Sequence, residues 1–432
     1  MKRRDFLKAT VTAPAAMSVF SAGALGTEQA YQGRCLVTLQ AAGGWDTASF
    51  CDPKENLPGE REITAWSRSN ETRVAGNIPY APYGTNAAFF EKYHRDMLVI
   101  NGVDAQTNAH SVGEVINWTG RSSRGFPTLG ALFASVNAPT APLSYLNFGG
   151  VASTERLLRF TRLTNPRQLA EVLDPGAIFQ SRFVNPVFMQ QIEAAQAARA
   201  EATLARETTM PLHAYNTQAY LESLNTKGSL RRLADILPPQ RAFPPPEAPT
   251  ALAGASRLKA SMMYSILSFR AGLSSAAGLW QSGFDTHNSH DGDHEPLLSF
   301  LTDALDFFWN YAEEQGVADR ITLVVGSDFG RTPWYNSTGG KDHWPIGSYL
   351  IMEKGANWGN RVVGATDGGQ NASRINPDSL QVVNSGGTLI YPKHVHKALR
   401  RYLGLEGNPI LAPFQFPDAE HFDFFNPNKS TA

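Results

Sequence analysis

The 432-residue chain has little cysteine: its 2 cysteines exclude a disulfide scaffold and any all-cysteine zinc cluster. It also has little charge, 18% of residues against about 25% in ordinary soluble domains. Neither sign prevails, because 38 Lys and Arg face 39 Asp and Glu. A net charge of -1 lacks the basic surplus that displaces counterions from nucleic acid, so no nucleic-acid partner is expected. No stretch beyond the N-terminus reaches the ~18–20 uninterrupted apolar residues of a membrane span. There is no internal repeat and no heptad series. What remains is a large chain with 42% hydrophobic residues, enough to bury a sizeable core.

The N-terminus reads as an address. Lys2, Arg3, Arg4 and Lys8 precede a weakly apolar stretch that ends in small residues at Ala22, Gly23 and Ala24. The pair Arg3-Arg4 before Asp5-Phe6-Leu7-Lys8 looks like a twin-arginine export signal over residues 1–24. A periplasmic or secreted mature chain, residues 25–432, is the expectation. Cys35 opens an expected strand and Cys51 lies beyond the next turn, a separation that predicts two free, buried thiols.

Apolar runs alternate with amphipathic segments, the pattern of an α/β domain with a mostly parallel sheet. Strands are expected at 35–39, 97–100, 144–148, 277–280, 321–325 and 348–352. Helices are expected at 87–94, 111–119, 129–135, 251–273, 296–313 and 394–402. Leu298, Phe300, Leu301, Leu305 and Phe308 share one face at helical spacing, which is core patterning. Residues from about 175 to 250 are helix-forming and end in the proline-rich 238–249, a helical insertion beside the main sheet.

Four segments place Asp or His just after an expected strand: Gly43-Gly44-Trp45-Asp46, Asn108-Ala109-His110-Ser111, Gly283-Phe284-Asp285-Thr286-His287 and Ser327-Asp328-Phe329-Gly330-Arg331. Lys341-Asp342-His343 follows the last of them. Ligands in open α/β sheets bind just outside the carboxyl ends of the strands, so these segments can converge on one edge. Four of the ten histidines, His287, His290, His294 and His343, fall between 287 and 343, against one or two for an even spread. Carboxylates mixed with imidazoles suit Zn, Mn or Fe rather than Ca or Mg. Three carboxylates in one pocket also need a cation to neutralise them. Asp342 is placed to orient the His343 imidazole, and Arg331 to meet a substrate anion with its planar fork. His294, His394, His396 and His421 read as surface residues. Trp45 and Trp344 read either as walls of the site or as core.

The motifs GGWD, AHS, GFDTH, SDFGRT and DHW, in this order from about residue 34 to 404, resemble the exported family of domain of unknown function 1501. That family in turn resembles the alkaline phosphatase and sulfatase superfamily. The resemblance implies a three-layer α/β/α sandwich with a mostly parallel central sheet, alkaline phosphatase-like. It implies hydrolysis of phosphate or sulfate esters with one or two divalent metal ions. Carried over, Asp46 and Asp328 hold one metal, and Asp285, His287 and His343 the other. The nucleophile position falls on His110 and Ser111, with Thr107 a weaker candidate, and His110 is either a metal ligand or itself the nucleophile. Two departures stand out. Phe329 occupies a position where the superfamily has a His ligand, and the short gap between Asp285 and His287 leaves His290 as an alternative ligand. Two functions follow: an exported metal-dependent hydrolase of an anionic small-molecule or glycan ester, or a catalytically inactive relative that binds an anionic glycan or a co-exported protein partner.

Overall fold

The computed structural model describes residues 29–428 except 167, 170–172, 174–185 and 207. The expected export signal and the first part of the expected insertion lie outside those residues. The strands are β1 (Cys35–Ala41), β2 (Arg73–Ala75), β3 (Ile78–Tyr80), β4 (Met97–Asp104), β5 (Tyr145–Asn147) and β6 (Thr161–Arg162). They continue with β7 (Ala276–Gln281), β8 (Ile321–Ser327), β9 (Gly330–Arg331), β10 (His343–Trp344), β11 (Ile346–Glu353) and β12 (Arg361–Val363). The principal helices are α1 (Asn86–Tyr93), α2 (His110–Thr119), α3 (Leu129–Asn137) and α4 (Pro186–Leu204). After them come α5 (Pro211–Thr226), α6 (Leu258–Arg270), α7 (His290–Glu314) and α8 (Pro392–Tyr402).

Eight strands form one sheet in the order β12-β4-β11-β8-β1-β7-β5-β6. All pairs are parallel except those of β11, which runs antiparallel to both β4 and β8. Side chains alternate across the sheet. Cys35, Val37 and Leu39 of β1 join a cluster with Leu267 and Phe269 of α6 and Leu301 and Leu305 of α7. Leu36 points the other way, into a cluster with Leu132 of α3 and Val395 and Leu399 of α8. Helices therefore cover both faces, giving the expected three-layer α/β/α arrangement. Helices α4 and α5 pack chiefly on each other. Cys35 and Cys51 are free and buried.

Two expected boundaries differ. Helix α7 begins at His290, ahead of the expected 296. Pro296 sits within its early turns, and Asp291 and Asp293 in the first turn favour the helix N-terminus electrostatically. Helix α6 begins at Leu258, because residues 251–253 form a turn instead.

The topology positions the site. The carboxyl ends of β1, β4, β7 and β8 share one sheet edge, and the antiparallel β11 starts at that edge, with Ile346 opposite Asp104. His343, three residues before β11, is thereby delivered to the same place.

Candidate metal centre

Each segment reaches the edge by a specific local device. After β1, Gly43 takes a φ of +118°, open only to glycine in practice. Its N–H and that of Gly44 point at the Asp328 carboxylate, both to Oδ1, at 3.0 and 3.2 Å. After β4 the Thr107 hydroxyl accepts from Ala109 N–H at 3.1 Å, and α2 starts at His110. Gly113 lets α2 close on β8: a Cβ there would stand 2.6 Å from the Asp328 carbonyl oxygen. The two-residue ladder of β9 and β10 sets His343 opposite Arg331.

These devices bring four residues together. His343 Nε2 lies 3.0 Å from His110 Nε2, 2.9 Å from His287 Nε2 and 3.1 Å from Asp285 Oδ1. Asp285 Oδ1 is also 3.1 Å from His287 Nε2 and 3.4 Å from His110 Nε2. Ligands bound at ~2.0–2.2 Å to one ion stand roughly 3.0–3.5 Å from their neighbours. His110, Asp285 and His343, whose donor atoms all lie within 4.8 Å of one another, are therefore spaced to share one ion, with His287 flanking them beside His343 and Asp285.

Their outer nitrogens are all committed. His110 Nδ1 meets Asp328 Oδ2 at 2.5 Å, His287 Nδ1 meets Asp342 Oδ1 at 2.8 Å, and His343 Nδ1 donates to the Asn108 carbonyl at 2.8 Å. Each partner accepts only, so each Nδ1 carries a proton, and a ring in that tautomer can turn an Nε2 lone pair inward. Three imidazole lone pairs and a carboxylate oxygen facing one another repel unless a cation sits among them. The donor set therefore fits a divalent ion of the Zn, Mn or Fe type. The side chains of His110, Asp285, His287 and His343 are between 23% and 46% exposed, which leaves room for a substrate. Phe329 is buried and packs its ring 4.8 Å from those of both His110 and His343. The cluster thus has an apolar floor.

Electrostatics follow the geometry. Burial pushes the Asp285 carboxyl up, but the Arg331 guanidinium at 2.5 Å and His110 more than offset it and lower it to about 2. The hydrogen bond to Asp328 raises His110, against the effect of burial. Burial lowers His343. Glu114, one helical turn along α2 from His110, is raised by burial and by the charge of Asp328.

The other sequence-expected residues are placed differently. Asp328 binds no open space: Gln40, Gly43, Gly44 and Ser327 donate to its Oδ1, and His110 to its Oδ2. Asp46 is fully buried against Lys341 at 2.7 Å and His290 at 3.1 Å, so the expected Asp46–Asp328 metal pair does not form. His290 belongs to Asp46 and not to the cluster. Burial pushes the Asp46 carboxyl up, yet Lys341 and His290 hold it well below the usual carboxylate range.

Arg331 is completely buried, which corrects its expected contact with a substrate anion. Its N–H groups go to the carbonyls of Gly43, Gly44 and Lys341 and to Asp285. Asp342 orients His287 rather than His343. Ser111 is exposed on the first turn of α2, and among the described residues its hydroxyl has no hydrogen bond to a base of the kind that activates a nucleophile. His294, His394 and His396 are buried, a correction to their surface reading, because each packs under an aromatic ring: Phe284, Phe422 and Phe416. Trp45 is core, and Trp344 donates to the Gln370 carbonyl at 2.8 Å. Lys341 and the Asn108 carbonyl were not foreseen. No motif marks a lysine that will be buried, and a carbonyl carries no sequence signal.

Comparison with known proteins adds a family match. Residues 187–385 match the family described as Protein of unknown function (DUF1501), so the resemblance holds over the span that contains Asp285, His287, Asp328, Arg331 and His343. No curated protein matches. Among solved structures the chain is similar to a sulfatase from Pseudoalteromonas sp., with TM-score 0.43 and 11% identity over 93% of this chain and 74% of that one. It is also similar to the lipoteichoic acid synthase LtaP from Listeria monocytogenes, with TM-score 0.39 and 8% identity over 92% and 76%. For alkaline phosphatase from the Antarctic bacterium TAB5 the TM-score is 0.32 and the identity 9%, over 77% and 95%.

Proposed function

We propose that the chain is an exported, metal-dependent hydrolase of phosphate or sulfate esters, acting on an anionic small molecule or glycan. The observation that carries this reading is the convergence of His110, Asp285 and His343, their donor atoms within 4.8 Å of one another and His287 beside them, with the Nδ1 of every imidazole engaged and its Nε2 facing the cluster. Such a set has no use for a proton and every use for a cation. A divalent ion held there supplies Lewis acidity toward the ester oxygen and acidifies water.

The chain's own residues do the rest. Asp328, Asp342 and the Asn108 carbonyl hold the three imidazoles in the binding tautomer. Arg331 fixes Asp285 from below and keeps its carboxylate ionised. Phe329 closes the floor, so water and substrate enter from the exposed side only. His110 has neither nitrogen free to act as a nucleophile, and it serves as a ligand. Ser111 lacks an activating partner, and the attacking group is water. No helix among the described residues is long and apolar enough to cross a membrane, consistent with a substrate met outside the bilayer. The motif order, through its resemblance to phosphate and sulfate ester hydrolases, supports the ester class.

The test is turnover of p-nitrophenyl phosphate, bis-p-nitrophenyl phosphate and p-nitrophenyl sulfate by metal-loaded protein. The reading requires activity on at least one of them that chelator removes and Zn or Mn restores. Metal binding without turnover on any ester would favour the inactive, anion-binding alternative.

A further inference from the structure

The resemblance assigns Asp46 to a second metal, and the structure disagrees. Asp46 and Lys341 are both fully buried, with Lys341 Nζ 2.7 Å from Asp46 Oδ2. The same oxygen receives the Ser49 hydroxyl at 2.9 Å and faces His290 Nε2 at 3.1 Å, while Oδ1 accepts from Ala48 N–H at 3.1 Å. The protons can be traced. Asp46 N–H donates to His294 Nε2 at 2.9 Å, so His294 carries its proton on Nδ1, facing Thr286 Oγ1 at 3.3 Å. Thr286 Oγ1 then donates to His290 Nδ1 at 2.7 Å, which leaves His290 Nε2–H to donate to Asp46. Every group around the carboxylate is a donor, and none is a lone pair that a metal could use. Asp328, the other residue assigned to that metal, is saturated by donors too.

We propose that the Lys341 ammonium is the chain's own replacement for a second metal ion, so that the site holds a single divalent ion at the histidine cluster. This rests on the metal reading above. The charges agree with it: Asp46, Asp285, Asp328 and Asp342 against Lys341 and Arg331 leave two uncompensated negative charges, which one divalent ion neutralises. A second ion would load a largely buried region with an excess of positive charge that nothing offsets. The tethered cation also ties the site together. Lys341 adjoins Asp342 and His343, and Thr286 lies between Asp285 and His287, so the buried network grips the chain beside each of them.

The experiment is a metal count on the full chain. Metal-free protein is loaded with excess Zn, freed of unbound ion, and analysed by inductively coupled plasma mass spectrometry. The expected result is one ion per chain, none in His343→Ala, and one retained in the double variant Asp46→Asn/Lys341→Met, where both charges leave together. Two ions in the unaltered chain, or loss of the ion in the double variant, overturns the proposal while leaving a metal centre in place. No ion at all overturns the metal centre itself. Urea denaturation of the metal-free proteins tests the pairing separately: each single variant strands a buried charge and lowers the midpoint more than the double variant does. Additive losses overturn the pairing.

Discussion

The substitution Asp328→Asn changes one oxygen to an amide and should silence His110 as a ligand. Asp328 Oδ1 accepts from Gly43 N–H, Gly44 N–H and Gln40 Nε2 at 3.0–3.2 Å. An NH2 group cannot replace an oxygen facing three donors, so the asparagine must keep its carbonyl there. Its NH2 then falls where Oδ2 now lies, 2.5 Å from His110 Nδ1. His110 must accept at Nδ1, its proton moves to Nε2, and an N–H replaces the lone pair aimed into the cluster.

Losing an orienting partner alone typically costs about 10–100-fold in metal affinity. Here a ligand is lost as well, so the drop should be at least about 100-fold, or roughly 2.7 kcal/mol. Competition against a chromophoric zinc chelator measures the affinity, and long-range 15N–1H correlation spectra of the metal-free protein report the His110 tautomer. Binding within about threefold of the unaltered chain would refute the tautomer argument, the factor being under 1 kcal/mol. So would an Nδ1–H tautomer in the variant.

Other outcomes follow from the same geometry. Asp342→Ala removes the His287 partner, but that carboxylate is 55% exposed, so metal affinity should fall only about tenfold in the chelator competition. Ser111→Ala should keep turnover within about tenfold, because water attacks; loss of several orders of magnitude would instead mark a covalent serine route. His396 donates from Nε2 to the Asn117 carbonyl at 2.9 Å, and burial with the nearby Arg400 lowers it to about 3. Its unfolded value is near 6.5, so the unfolded state binds the proton first and stability falls as pH drops below about 6.5. That contribution is about 1.4 kcal/mol per pH unit. In urea titrations between pH 6 and 4.5, His396→Gln should flatten the dependence by that amount, and an unchanged slope would count against the buried neutral imidazole.

Much of this site can be read before folding because strand ends announce themselves. Apolar runs stop at Ala41, Gln281 and Ser327, and the Gly, Asp and His that follow cannot continue a buried strand. The parallel pairing of β1 with β7 and β8 then brings those ends to one edge. The cluster's fourth member was ambiguous for a physical reason: His110 starts a helix, and an N-terminal histidine can face backbone, solvent or a metal equally well. The reversed direction of β11 is a matter of long-range pairing, and a run such as Tyr349–Met352 reads the same in either direction. Buried polar residues were the hardest. Lys341, His294 and His396 look like surface residues in isolation. Each is interior only because distant chain supplies its partner, Asp46 for Lys341, the Asp46 N–H for His294 and the Asn117 carbonyl for His396.

The most direct test of the central claim is X-ray absorption at the zinc edge on protein loaded with one equivalent of Zn. The account predicts a shell of nitrogen and oxygen at ~2.0–2.1 Å without sulfur, with outer-shell scattering from imidazole rings that weakens in His343→Ala. A shell with no imidazole contribution, or one unchanged by His343→Ala, would contradict it.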